Sequence, residues 1–160
     1  MKKIIALLQK LQIVAGGIFL TIFLLSVVTQ IFARYLGIAV TWTEDVSLYA
    51  FIWAVFMGAS AMVYERRHFA FTSLSDSIKS RSKKLLISLC ISLAMLIFGV
   101  LMLYYGVRIS RQFWNYRWVT IGAFKRGPVW LCLPIAGATI GLYTVYHIVN
   151  DVGLFCKGST

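Results

Sequence analysis

Residues 85–107 read LLISLCISLAMLIFGVLMLYYGV, a run that carries no formal charge. About 20 helical residues cross the hydrocarbon core of a bilayer, so this run is long enough to span it. Three more charge-free runs accompany it, at residues 11–33, 46–64 and 127–150. One apolar run of about 12 residues is compatible with a buried soluble helix. Four runs of bilayer length in a chain of 160 residues are not. Backbone amides in lipid need partners inside the segment, which favours helices. A β-barrel would alternate in segments of about 10 residues, and these runs do not alternate. The expected fold is an all-α integral membrane protein with four transmembrane helices in one compact bundle, both termini cytoplasmic, forming a single domain over residues 1–160.

The composition agrees. The chain is 60% hydrophobic and 13% charged, about half the charge of a soluble domain. Lys plus Arg number 16 against 5 Asp plus Glu, a formal balance of +11. These cations lie in short segments between apolar runs rather than on one water-facing surface, which excludes nucleic acid as a partner and makes membrane lipid the expected one. Cys90, Cys132 and Cys156 are odd in number and form no Cys-x-x-Cys pair. A disulfide framework, a zinc site and a thiol-exchange pair all lack their spacing. Cys90 and Cys132 read as small apolar packing residues.

The first run is long for a signal-peptide core and no clear small-x-small site follows it, so it reads as span one. With both termini inside, ten cations fall on the cytoplasmic side and six outside, the direction of the positive-inside bias. Five of the outer six crowd one loop: Arg108, Arg111, Arg117, Lys125 and Arg126. Around them lie Tyr104, Tyr105, Phe113, Trp114, Tyr116, Trp118 and Trp130, with Trp42 at the outer start of span two. Such rings either form an interfacial belt or join the cations in a docking surface. Residues 65–84 carry five serines, with Phe71, Leu74 and Ile78 at helical spacing, which suggests an amphipathic turn along the membrane. No internal repeat or inverted pair of broken spans is visible, against a complete transporter in one chain.

Ionisable groups inside a bundle mark a solute pathway because they are costly in lipid. Here every Asp, Glu, Lys and Arg lies outside the four runs. His147, near the inner end of span four, is the one ionisable candidate inside them, and His68 follows span two. Two histidines at one level suit haem ligation, which leaves a haem-binding electron-transfer subunit as the alternative function. The other reading is a loop histidine and an interfacial one. No cofactor, metal site, substrate site or catalytic group is otherwise expected, and an enzyme is not. A small self-associating exporter needs an intramembrane acid that the runs lack.

Glu44 and Asp45, adjacent in sequence, point about 100° apart on a helix and make no dyad. Thr41-x-x-Glu44 fits a capping box at the start of span two. Arg34, at the end of span one, is placed to pair with Glu44 or Asp45. Ala50, Ala54, Gly58 and Ala61 in span two, and Gly137 and Gly141 in span four, are small-residue stripes of the kind that let membrane helices approach. Thr29, Gln30, Ser47, Ser60 and Ser92 are candidates for interhelical hydrogen bonds.

Residues 34–68 resemble a known family. Arg34-Tyr35, Thr41-Trp42-Thr43-Glu44-Asp45, Phe51-Ile52-Trp53, Phe56-Met57-Gly58 and Arg67-His68 are similar, in order and spacing, to the small membrane (Q) subunit of tripartite ATP-independent periplasmic (TRAP) transporters. Ile121-Gly122, Trp130 and Leu133-Pro134 give a second match. The chain departs from the pattern at residues 69–72, where many relatives carry an aspartate, and in the added charge of Lys125 and Arg126. The resemblance implies a scaffold and docking subunit in the bacterial inner membrane. Its partners would be a large multi-span transport subunit and a soluble periplasmic substrate-binding protein. The system would take up organic acids with sodium, of the sialic acid or C4-dicarboxylate type. Arg34, Trp42, Glu44 and Asp45 would form a structural motif at the outer ends of spans one and two. Arg108, Arg111, Arg117, Lys125 and Arg126 would face the binding protein.

Overall fold

Each apolar run satisfies its amides within itself by coiling. The computed structural model describes residues 2–65 and 81–157, and the side chains of 2–65 and 86–153. Among these residues the elements are α1 (Lys2–Tyr35), α2 (Trp42–Tyr64), α3 (Arg81–Gln112), the short α4 (Gly127–Trp130) and α5 (Cys132–Lys157). Four stretches, Lys2–Tyr35, Trp42–Tyr64, Leu86–Gln112 and Gly127–Gly153, are long and apolar enough to cross a membrane. The amphipathic turn expected around Phe71, Leu74 and Ile78 lies outside the described residues, as does His68.

Helix α1 has 34 residues, about 51 Å at 1.5 Å per residue, against roughly 30 Å of hydrocarbon. It therefore runs through Lys2, Lys3 and Lys10 rather than starting after them. It stops where Gly37 takes φ +69°, with Ile38 N donating to Ala33 O at 2.9 Å and Gly37 N to Arg34 O at 3.2 Å. That pair of bonds is a Schellman cap, and the left-handed glycine lets the chain reverse into α2. The capping box expected at Thr41 does not form. Thr41 sits in right-handed helical space at φ −86°, ψ −29° and makes no side-chain cap bond. An N-cap hydroxyl reaches the helix amides from extended backbone, which Thr41 lacks. Instead Thr43 Oγ1 donates to Val40 O at 3.1 Å.

The helices pair as two antiparallel hairpins, α1 with α2 and α3 with α5, joined by α2 against α5. Half of the apolar window of the fourth span is buried, against 6% of that in α3, which makes α5 the centre. In the first seam, a Cβ on Gly16 would lie 3.5 Å from Ala54 O and from Gly58 N. Ala50 and Ala61 are buried on the same helix. Phe19 stacks on Trp53 at 5.0 Å and Phe23 meets Phe51 at 5.2 Å. In the second seam, a Cβ on Gly137 would lie 2.5 Å from Leu103 N, and one on Gly106 2.7 Å from Pro134 N. Gly106, which the stripe reading omits, is as tightly enclosed there as Gly137, and Gly99 is tight as well, its Cβ position 3.1–3.2 Å from its neighbours. Gly141 contributes its backbone, 3.1 Å from the Cβ position of Gly99.

A polar node ties three helices together. Gln12 Nε2 donates to Ser60 Oγ and to Thr139 Oγ1, both at 2.9 Å, and Gln12 Oε1 accepts from Tyr143 OH at 2.6 Å. Of the residues expected to hydrogen-bond between helices, Ser60 takes part, as an acceptor. Thr29 and Ser47 turn back onto carbonyls of their own helix, Leu25 O and Glu44 O. Nearer the ends, Gln9 Nε2 donates to Glu65 Oε1 and Ser88 Oγ to Asp151 Oδ2, each at 2.8 Å. Cys132 is buried as expected, whereas Cys90 lies on the exposed side of α3. Leu25, Phe32, Leu86 and Val100 are more than half exposed, a surface suited to lipid or another membrane chain and ill-suited to water.

Gly137→Ala is expected to destabilise the fold by about 1–3 kcal/mol through overpacking. Gly141→Ala, whose Cβ meets nothing within 4 Å, should change stability by no more than about 0.5 kcal/mol. Thermal melting of the protein in detergent distinguishes them, and equal losses would show that the second seam is not set at Gly137. Gln12→Leu strands the Tyr143 hydroxyl and should cost about 1–3 kcal/mol in the same assay.

Candidate functional site

The candidate site is the end of the bundle that carries residues 36–41 and 113–126. Helix α3 stops at Gln112 with Arg111 in its last turn, where a cation meets the negative end of the helix dipole. The following residues fold rather than trail. Arg117 and Lys125 form an antiparallel bridge. Arg126 N donates to Tyr116 O at 2.7 Å, Trp118 N to Phe124 O at 3.0 Å and Phe124 N to Ile121 O at 3.1 Å. Two side chains brace this hairpin: Arg117 Nη1 reaches Gly122 O at 2.9 Å and Trp118 Nε1 reaches Lys125 O at 3.1 Å. Gly127 closes the base, since a Cβ there would lie 2.6 Å from Trp114 Cα.

The hairpin is pinned to the first turns of α2. Thr120 donates twice to Asp45 Oδ2, from N at 3.0 Å and from Oγ1 at 2.6 Å. Arg126 Nε donates to Tyr49 OH at 2.8 Å, and its positive charge acts on the Asp45 carboxylate as well. Trp118 lies against the Tyr49 ring at 4.7 Å. Asp45 is only 7% exposed, a depth a carboxylate tolerates when hydrogen bonds and a cation hold it. It sits in the first turn of α2, where the helix dipole also favours negative charge.

The motif residues therefore divide. Asp45 is the anchor, held by Thr120 and by the charge of Arg126. Arg34, Trp42 and Glu44 are exposed beside it. The five loop cations divide too. Arg126 and Arg117 brace the loop, while Arg108, Arg111 and Lys125 project into the surroundings without a side-chain bond among the described residues. Of the rings expected in a belt or docking surface, Trp118 faces inward, Trp130 meets Phe113 at 5.8 Å, and Tyr104, Tyr105, Trp114 and Tyr116 are exposed. Sequence reasoning missed Thr120 as the hydrogen-bond partner of Asp45 and Tyr49 as that of Arg126, with Trp118 packed on the Tyr49 ring. His147, at the other end, lies 6.1 Å from the Tyr64 ring and 5.6 Å from that of Tyr146. Among the described residues no group of three or more His, Cys, Asp or Glu is arranged to hold a metal ion.

Comparison with protein families matches residues 23–154 to the DctQ component of tripartite ATP-independent periplasmic transporters. The chain belongs to this family. The match covers the Asp45 anchor, the hairpin and three complete helices, α2, α3 and α4. Comparison with curated proteins gives no match. As a DctQ component the chain is a multi-pass membrane protein and a part of a TRAP transporter. Membership implies association with a large membrane subunit and a substrate-binding protein.

Asp45→Ala removes the acceptor of both hydrogen bonds that Thr120 donates. Hydrogen bonds to a charged group are each worth about 1.5–3 kcal/mol. Local opening of the hairpin should rise by roughly tenfold or more, read as faster tryptic cleavage after Arg117 and Lys125 in proteoliposomes. An unchanged cleavage rate would show that the ring contacts alone hold the loop.

Proposed function

We propose that this DctQ component is the scaffold and docking subunit of a sodium-coupled TRAP transporter for organic acids, of the sialic acid or C4-dicarboxylate type. It works in the bacterial inner membrane as one half of a heterodimer with the large transport subunit, and both of its termini are cytoplasmic. The observation that carries this reading is the Gln12 node. The polar side chains that meet between α1, α2 and α5 are spent on one another, so they bind the helices together and offer a passing solute little to coordinate.

The rest of the surface supports the same role. The outward apolar faces of α1 and α3 give a large subunit area to pack against. At the hairpin end, Arg108, Arg111 and Lys125 present positive charge from a braced support. Cations of that kind steer an acidic partner and raise its association rate. The positive-inside bias of the sequence supports an outward orientation of this end, toward a soluble binding protein.

Two measurements test the proposal. The chain should co-purify with a second, larger membrane subunit, and failure to do so would remove the scaffold role. The triple variant R108E/R111E/K125E should lower binding-protein-dependent uptake by about tenfold at low salt, with the loss shrinking as salt rises. Co-purification should persist in that variant. Uptake equal to wild type would remove the docking role. Arg117 and Arg126 are poor choices for this test, because their loss loosens the hairpin itself.

A further inference from the structure

The turn at residues 118–124 has two unlike sides. Trp118 and Thr120 face the bundle, the first against Tyr49 at 4.7 Å and the second on Asp45. Val119, at the bend between them, is 79% exposed. Phe124 closes the turn through its backbone and touches Trp118 at 5.5 Å, yet it is 57% exposed. No charged residue lies from Trp118 to Phe124, and the two that flank it, Arg117 and Lys125, are exposed and bridged to each other.

Single exposed apolar side chains are ordinary on a protein surface. These two differ in being held out on a turn that has its own closing bonds and an anchor at Asp45. Their entropy is already reduced, so a partner that covers them gains more of the buried area as affinity. A small apolar centre inside a charged margin is also the anatomy of a protein–protein contact. The margin here is basic, so the complementary surface is acidic around an apolar recess. The turn is anchored on Asp45, in the first turn of α2, and so sits at the end of a membrane span rather than along its length. That position and the basic margin favour a soluble acidic partner over the bilayer interior.

We propose that Val119 and Phe124 form the apolar contact that retains the soluble substrate-binding protein after the neighbouring cations have steered it in; this rests on the docking role proposed above. Steering governs arrival, and the apolar contact governs departure. The test uses the chain in complex with its large subunit in nanodiscs. The probe is the binding protein that supports uptake by this transporter, followed by biolayer interferometry. V119S/F124S should raise the dissociation rate by about tenfold and leave the association rate within about twofold, at low salt and at roughly 0.5 M salt alike. V119L/F124L, which keeps the apolar character, should dissociate like wild type. R108E/R111E/K125E should slow association at low salt only. An unchanged dissociation rate in V119S/F124S, with association still slowed by the charge reversals, overturns the apolar contact and leaves the docking role standing. No effect from either set overturns both. Dissociation as fast in V119L/F124L as in the serine variant also overturns the proposal, because the change would then reflect a disturbed turn.

Discussion

Inside a bilayer a polar side chain has no water to exchange with, so a glutamine placed between helices must find its partners in the protein. Gln12 finds three, one on α2 and two on α5. Helix α5 already holds α3 through the glycine seam. One amide therefore couples the first hairpin to the second, whose main helix–helix contact is that of α2 with α5. Each such bond is worth only about 1 kcal/mol in a membrane. Their importance lies in register: the node is satisfied in one alignment of the helices and leaves buried donors unpaired in others.

That fixed alignment has a consequence at the hairpin end. Asp45 and Tyr49 on α2 can hold Thr120 and Arg126 only if α2 and the α3–α5 hairpin keep their relative height. The core node and the surface clamp act in series. The first positions α2 against α5, and the second uses that placement to fold a basic, partly apolar loop over the end of the bundle. A scaffold subunit benefits from such rigidity, because a preorganised contact surface loses less entropy on meeting its partner.

The two seams show how far residue type alone can be read. In the stripe Ala50, Ala54, Gly58, Ala61, the backbone at Ala54 and Gly58 faces Gly16 on α1, yet a Cβ at Gly16 would sit at an ordinary contact distance of 3.5 Å, so that seam has room for a methyl group. Gly137 and Gly106 leave no space for a Cβ and Gly99 leaves little, whereas Gly141 has room for a side chain. Spacing marks a helix face that can be approached. Which glycine is indispensable depends on where the partner backbone crosses, and that is a property of two helices together. The same holds for hydroxyls. Ser60, Thr29 and Ser47 each donate to a carbonyl of their own helix, and Ser60 alone of the three also accepts from Gln12 across a helix pair.

The sequence by itself determined the four helices, their membrane character, the acidic group at the start of α2 and the concentration of cations in one loop. These are local matters of length, hydropathy and charge order, and no distant contact alters them. Only the tertiary structure decided that Asp45 serves Thr120, 75 residues away, that Arg126 and Arg117 brace the loop while Arg108, Arg111 and Lys125 stay exposed, and that Gln12 unites three helices. Hydrogen bonds are short and directional. Their partners are chosen by which helix ends arrive side by side, and that is fixed only once the hairpins have packed.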